Sequence, residues 1–174
     1  ITGVWFPGGV QSRITAALRG TRFHRALLDL YKQGAVVGGT SAGAAIMSDS
    51  MLTGSQFQPG VDTAVYLEDT YTRIARRAIV LIPGLGLLPN AIVHQHLVRR
   101  ERHNRLLSVT LDHPSFIGAG IDEGTAIEVK PDGTWEIIGA SVVVIYDARK
   151  SAFSSPDANV LGAQDIRMHV LPAG

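Results

Sequence analysis

The chain contains no cysteine, which excludes disulfides, thiol nucleophiles and cysteine-ligated zinc without fixing a compartment. Neither sign of charge is in excess: 16 Lys and Arg stand against 15 Asp and Glu, a formal net charge of +1. That balance supplies no global attraction to nucleic acid or to an anionic membrane surface. The apolar runs are too short to span a bilayer as a helix. No G-x-G-x-x-G and no P-loop occurs, and His94 and His96 have no acid nearby in ligand spacing, so no nucleotide, flavin or metal cofactor is expected. An initiator Met is also missing. Ile1 opens directly into the strand-like Val4-Trp5-Phe6, which suggests truncation or processing. What is present suits a packed core. The 174 residues are 45% hydrophobic with 19 glycines against eight prolines, and the mean hydropathy is +0.16. One turn-rich α/β domain over residues 1–174 follows.

The most informative stretch is Val36-Val37-Gly38-Gly39-Thr40-Ser41-Ala42-Gly43-Ala44-Ala45-Ile46-Met47. It reads as a buried strand, a sharp turn bearing a serine, and a small-residue helix. Gly39-Thr40-Ser41-Ala42-Gly43 fits the G-x-S-x-G elbow, where a strained strand-to-helix turn projects a hydroxyl from the sheet edge. Small neighbours let that backbone pass close to adjacent elements. The pattern proposes a serine hydrolase with Ser41 as nucleophile.

Apolar runs alternate with helical patterns along the chain. Strands are expected at residues 1–6, 35–37, 78–82, 91–93, 116–121, 125–130, 135–138, 141–146 and 165–171. Helices are expected at 22–33, 42–48 and 96–109. Residues 50–72 are polar and glycine-containing without a clear period and read as a loop. Asp132-Gly133 marks a hairpin turn, and residues 151–174 read as a weakly ordered stretch ending in a last strand. The alternation implies a three-layer α/β sandwich with a mainly parallel sheet.

A serine nucleophile needs a base and an orienting acid. Of six histidines, His94 and His96 sit at the end of the strand 91–93, on the edge where a parallel sheet collects its catalytic groups. His24 and His103 read as solvent-facing. Asp122-Glu123 follows the strand 116–121 and supplies either carboxylate.

The set Phe6-Pro7-Gly8-Gly9-Val10-Gln11, Gly39-Thr40-Ser41-Ala42-Gly43-Ala44, Gly84-Leu85-Gly86-Leu87-Leu88, Gln95-His96-Leu97, Arg100-x-Arg102-x-x-Arg105 and Gly120-Ile121-Asp122-Glu123-Gly124-Thr125-Ala126 resembles the cyanophycinase-like serine peptidases of family S51. These are relatives of the dipeptidase E and class I glutamine amidotransferase folds. The likeness runs from Ile1 to about Tyr146. It implies a triad of Ser41, His96 and Glu123 in that chain order, which differs from the Ser, acid, His order of an ordinary α/β-hydrolase. It further implies an oxyanion hole from the backbone N–H groups of Gly9 and Ala42. Gln11, Gln95, Arg100, Arg102 and Arg105 match residues of the family's substrate cleft. A guanidinium fork there suits a carboxylate.

Two positions depart from the family pattern. His94 stands where the family usually carries an aspartate, so a carboxylate that could grip a cationic substrate end is replaced. Val10 replaces an acidic residue, as in exported members of the group. The family's opening strands would lie before Ile1, so a separate N-terminal chain of the same protein is an expected partner, and a homo-oligomer is compatible. The expectation is therefore a serine peptidase acting on aspartyl or β-aspartyl bonds of acidic peptides. The rival readings are an esterase or amidase on the same elbow, and a non-catalytic binding domain.

Overall fold

The computed structural model describes residues 1–57, 62–66, 73–154 and 159–174. β1 (Gly3–Phe6) leads into α1 (Gln11–Leu18) and α2 (Arg22–Lys32), and the chain returns in β2 (Val36–Gly39). β1 and β2 pair in parallel with Phe6 opposite Gly39. Thr21 caps α2 by accepting the His24 N–H at 3.2 Å, which satisfies a donor that the first helical turn leaves unpaired. Beyond the short α3 (Ala42–Ala45) come β3 (Ser50–Gln56), β4 (Val65–Tyr66), β5 (Ile79–Pro83), β6 (Ala91–Gln95) and α4 (His103–Asp112). The remaining elements are β7 (Ile117–Ile121), β8 (Thr125–Val129), β9 (Trp135–Gly139), β10 (Val142–Asp147), β11 (Ala152–Phe153), β12 (Ala163–Gln164) and β13 (Arg167–Pro172).

A four-stranded sheet in the order β13-β10-β7-β6 forms the larger half. Alternation along β10 decides its two faces. Val144 and Tyr146 pack with Leu97, Leu106 and Val109 under α4. Val143 and Ile145 pack with Ala119 and Ile137 under the β8–β9 hairpin. The smaller half is β1–β2, whose Phe6 joins Leu27, Ala45, Ile46, Met51 and Leu85 in a second core.

Several expectations need correction. Among the named strands parallel pairing is confined to β1–β2 and β6–β7, and the other strand pairs are antiparallel; outside them Ser48 and Leu88 form one isolated parallel bridge. The fold is therefore mixed α/β with several small sheets. Residues 50–56 form a strand rather than a loop. Met51, Leu52 and Thr53 are all buried and the register shifts between Leu52 and Gln56, so no alternation was left to read. The remainder of that expected loop includes residues 58–61 and 67–72, which lie outside the described residues. α1 leaves little pattern in the sequence: its apolar contacts to the core come from Ile14 and Leu18, its buried residue is the polar Thr15, and Val10 offers no side-chain cap. The helix expected at 96–109 begins only at His103. His96 and Glu101 have φ of +57° and +51°, which an α-helix does not accept, and residues 96–102 fold as turns. The helix expected at 42–48 ends at Ala45. Within 151–174, β11 and β12 pair as a hairpin, and residues 155–158 lie outside the described residues.

One face of β1–β2 is bare. Trp5 and Val36 share it and are 67% and 73% exposed. Trp5→Ser and Val36→Thr should therefore each change the unfolding free energy of this chain by less than about 0.5 kcal/mol. Leu106→Ala, at a residue 0% exposed, should cost about 2–5 kcal/mol. Urea melts decide it, and a loss above about 2 kcal/mol from Trp5→Ser would show that this face is packed.

Candidate active site

The C-terminal ends of the parallel strands converge. Pro7-Gly8-Gly9 follows β1, Ser41 follows β2, His96 follows β6, and Glu123 lies just past β7. Ser41 has φ +52° and ψ −112°, the strained backbone expected of a hydroxyl projected from an elbow. Gly43 makes that turn possible: a Cβ built there would lie 2.2 Å from the Phe6 carbonyl oxygen.

Ser41 Oγ lies 2.9 Å from His96 Nε2, and His96 Nδ1 lies 3.0 Å from Glu123 Oε1. The carboxylate holds the proton on Nδ1, so Nε2 presents its lone pair to the hydroxyl. Burial lowers the His96 pKa below its ordinary value, the Arg100 cation lowers it further, and the Glu123 hydrogen bond opposes both. The imidazole is thus neutral at pH 7, with a ring nitrogen free to accept a proton. Gly9 has φ +135°, and the N–H groups of Gly9 and Ala42 donate to no backbone acceptor among the described residues.

The other residues singled out from the sequence fall in several places. Gln11 Nε2 donates to the Leu52 carbonyl at 3.1 Å. The Gln95 carbonyl accepts from Arg102 Nη1 at 3.2 Å, while Gln95 Oε1 is buried without a hydrogen-bond partner among the described residues. Arg100 is exposed in the turn after His96. Arg105 is buried at 6% exposure and points inward. Its Nη2 donates to the Thr53 carbonyl at 2.7 Å, its Nη1 to Gln56 Oε1 at 3.0 Å and its Nε to His94 Nε2 at 3.3 Å. His94 is itself only 4% exposed, so neither of these two side chains opens to solvent. The three arginines do not share one helix, since only Arg105 lies within α4. His24 and His103, read as solvent-facing, instead contact the Leu85 carbonyl at 2.9 Å and the Tyr146 hydroxyl at 2.8 Å. Sequence reasoning missed Gln56 and Thr53, because residues 50–56 were read as loop.

These strand ends hold the hydroxyl, imidazole and carboxylate in the order and spacing that a serine hydrolase uses. The chain matches peptidase family S51 over residues 1–137. It is 34% identical over 180 residues to cyanophycinases of Synechococcus elongatus and Thermosynechococcus vestitus, across 99% of this chain and 51% of theirs. The cyanophycinase of Geminocystis herdmanii is 32% identical over 178 residues, with 61% of that protein covered. Among solved structures, a peptidase from an acI-B1 actinobacterium superposes with a TM-score of 0.62 at 20% identity, over 99% of this chain and 57% of that one. That last likeness is one of fold. The chain belongs to peptidase family S51, and it spans about half the length of the curated relatives it matches.

His94 generates a prediction about stability. Its pKa is held well below the ordinary value by burial, then by Arg105 and Arg102. Below about pH 6.5 the unfolded chain takes up a proton at this position that the folded chain refuses. Folding stability should then fall with pH, with a slope of up to about 1.4 kcal/mol per unit, until the folded-state pKa is reached. Above pH 6.5 the contribution should be flat. His94→Gln should remove that component from urea melts taken between pH 7 and pH 5, and an unchanged slope would refute the assignment.

Proposed function

We propose that this chain carries the catalytic site of a serine peptidase that hydrolyses aspartyl or β-aspartyl bonds in acidic peptides. The observation that carries the reading is the continuous Ser41–His96–Glu123 relay at 2.9 and 3.0 Å, and the family supports it. Ser41 Oγ attacks the scissile carbonyl while His96 Nε2 takes its proton. The imidazolium is stabilised by Glu123, and the oxyanion is met by the N–H groups of Gly9 and Ala42, already aimed and needing no reorganisation. His96 then protonates the leaving amine, and water, activated by the same base, hydrolyses the acyl-enzyme. The wider fold is that of the class I glutamine amidotransferases, of which this chain is a part.

A serine-directed fluorophosphonate should label Ser41, and Ser41→Ala should abolish both labelling and turnover of an Asp-X and β-Asp-X dipeptide panel. His96→Ala should lower kcat/KM by about 10³-fold or more. Because the His96 pKa is lowered, the acidic limb of kcat/KM should lie below pH 6.5. Labelling at a different serine, or a panel left untouched while simple esters turn over, would overturn the reading.

Arg100 is the exposed guanidinium beside the base, and we assign it the substrate carboxylate. Arg100→Leu should cost about 1.5–3 kcal/mol in kcat/KM for acidic peptides, the range of a charge-assisted hydrogen bond, and far less for neutral ones. Removing this cation should also raise the His96 pKa, moving the acidic limb to higher pH. Equal losses on acidic and neutral substrates with an unmoved limb would exclude this role.

A further inference from the structure

The turn that presents His96 is tied to the protein by the residue next to the triad acid. Asp122 Oδ1 accepts the backbone N–H of Val98 at 3.1 Å and of Arg99 at 2.9 Å. Its other oxygen, Oδ2, accepts the Ser141 hydroxyl at 2.9 Å. Ser141 is anchored in turn, because its N–H donates to Thr125 Oγ1 at 3.0 Å, and the Asp122 N–H donates to the Val142 carbonyl at 3.2 Å. These bonds link the start of β10, through one carboxylate, to the two amides that follow His96-Leu97. His96 needs such a tether. Its φ of +57° lies in the left-handed region that strains a residue with a Cβ, and such a conformation persists only where its surroundings over-determine it.

We propose that Asp122 is a positioning residue for the base: its carboxylate holds the turn after His96 so that the imidazole spans Ser41 and Glu123. This rests on the reading of His96 as the base. Adjacent carboxylates thereby divide the work, with Glu123 on the ring and Asp122 on the backbone behind it. Burial disfavours the Asp122 anion, but the donors from Arg99, Ser141, Glu123 and Val98 outweigh it and hold its pKa below the ordinary value. The tether is therefore ionised throughout the neutral range.

The test compares Asp122→Ala with Asp122→Asn, which keeps an oxygen for the two amides. Asp122→Ala should lower kcat about 10²-fold, the scale for a catalytic group misplaced by about 1 Å, with KM changed less than about threefold. Asp122→Asn should stay within about tenfold of the parent. The downfield proton resonance of the His96–Glu123 hydrogen bond should persist in the Asn variant and vanish in the Ala variant. Thermal melts gauge folding, and the comparison uses temperatures at which both variants are folded. Full activity and an intact resonance in folded Asp122→Ala would overturn the proposal. So would a loss confined to thermal stability. His96→Ala separates the two readings: if it remains active, the base assignment itself has failed, whereas an inactive His96→Ala beside a normal Asp122→Ala sinks only the tether.

Discussion

The close approach of α3 to the end of β1 is the constraint on which the site depends. A Cβ at Gly43 would meet the Phe6 carbonyl, and Ala42 and Ala45 are both 0% exposed. The elbow is therefore gripped from more than one side by residues with little or no side chain. Behind it, Ser48 Oγ accepts the Val93 N–H at 3.1 Å, which pins the segment after the elbow to β6 three residues before His96. Interiors packed to crystal density transmit such displacements rather than absorb them. A larger residue in α3 would carry Ser41 away from His96 even with Ser41, His96 and Glu123 all intact. The 2.9 Å bond between Ser41 and His96 is thus a consequence of backbone packing as much as of its own attraction.

A second, wholly buried device lies behind the strand that leads to His96. The Arg105 guanidinium joins α4 to β3 through Thr53 and Gln56, and to β6 through His94. Removing such a cation from water is costly, and only dense hydrogen bonding compensates. The three acceptors named here are all neutral. His94 can serve as one only while its Nε2 is unprotonated, which places its proton on Nδ1. Gln11 reaches the same strand from the other side, at the Leu52 carbonyl. β3 therefore connects the Gly-Gly loop region with the strand that delivers His96, although it contributes no side chain to the triad itself.

Much of this was legible in the sequence, and the failures have physical causes. The elbow was readable because its requirement is local: glycines and alanines at fixed offsets from one serine. The strand ends bearing His96 and Glu123 were readable because apolar runs end abruptly in polar groups there. The choices of His96 over His94 and of Glu123 over Asp122 were not decided by pattern, since each pair sits at the same kind of strand end, and they came from the family resemblance. β3 was lost because it is buried in the interior and bulged, so it carries no period of two. The turn over residues 96–102 was lost because positive φ at His96 and Glu101 leaves no mark in hydrophobic spacing. Arg105 looked like a neighbour of Arg100 and Arg102 because a continuous helix was assumed. The break before His103 is what turns it inward.

In the proposed mechanism, electrostatics around His96 reconciles two opposing demands. A general base must be neutral at working pH, yet it must be stabilised once it takes the serine proton. Partial burial and the Arg100 cation meet the first demand by penalising the resting imidazolium. Glu123 meets the second through a directional bond to Nδ1 at 3.0 Å. Its side chain is 46% exposed, so solvent screens the pair and the bond acts mainly through orientation and tautomer. A solvent-screened acid of this kind orients the ring only if the backbone beneath the ring is already fixed. Side-chain length makes that possible: the longer glutamate reaches the imidazole, while the shorter aspartate before it stays close enough to the main chain to accept two consecutive amides. Exchanging Asp122 and Glu123 would preserve the local charge and lose both contacts, so the order of the two acids follows from the reach of their side chains.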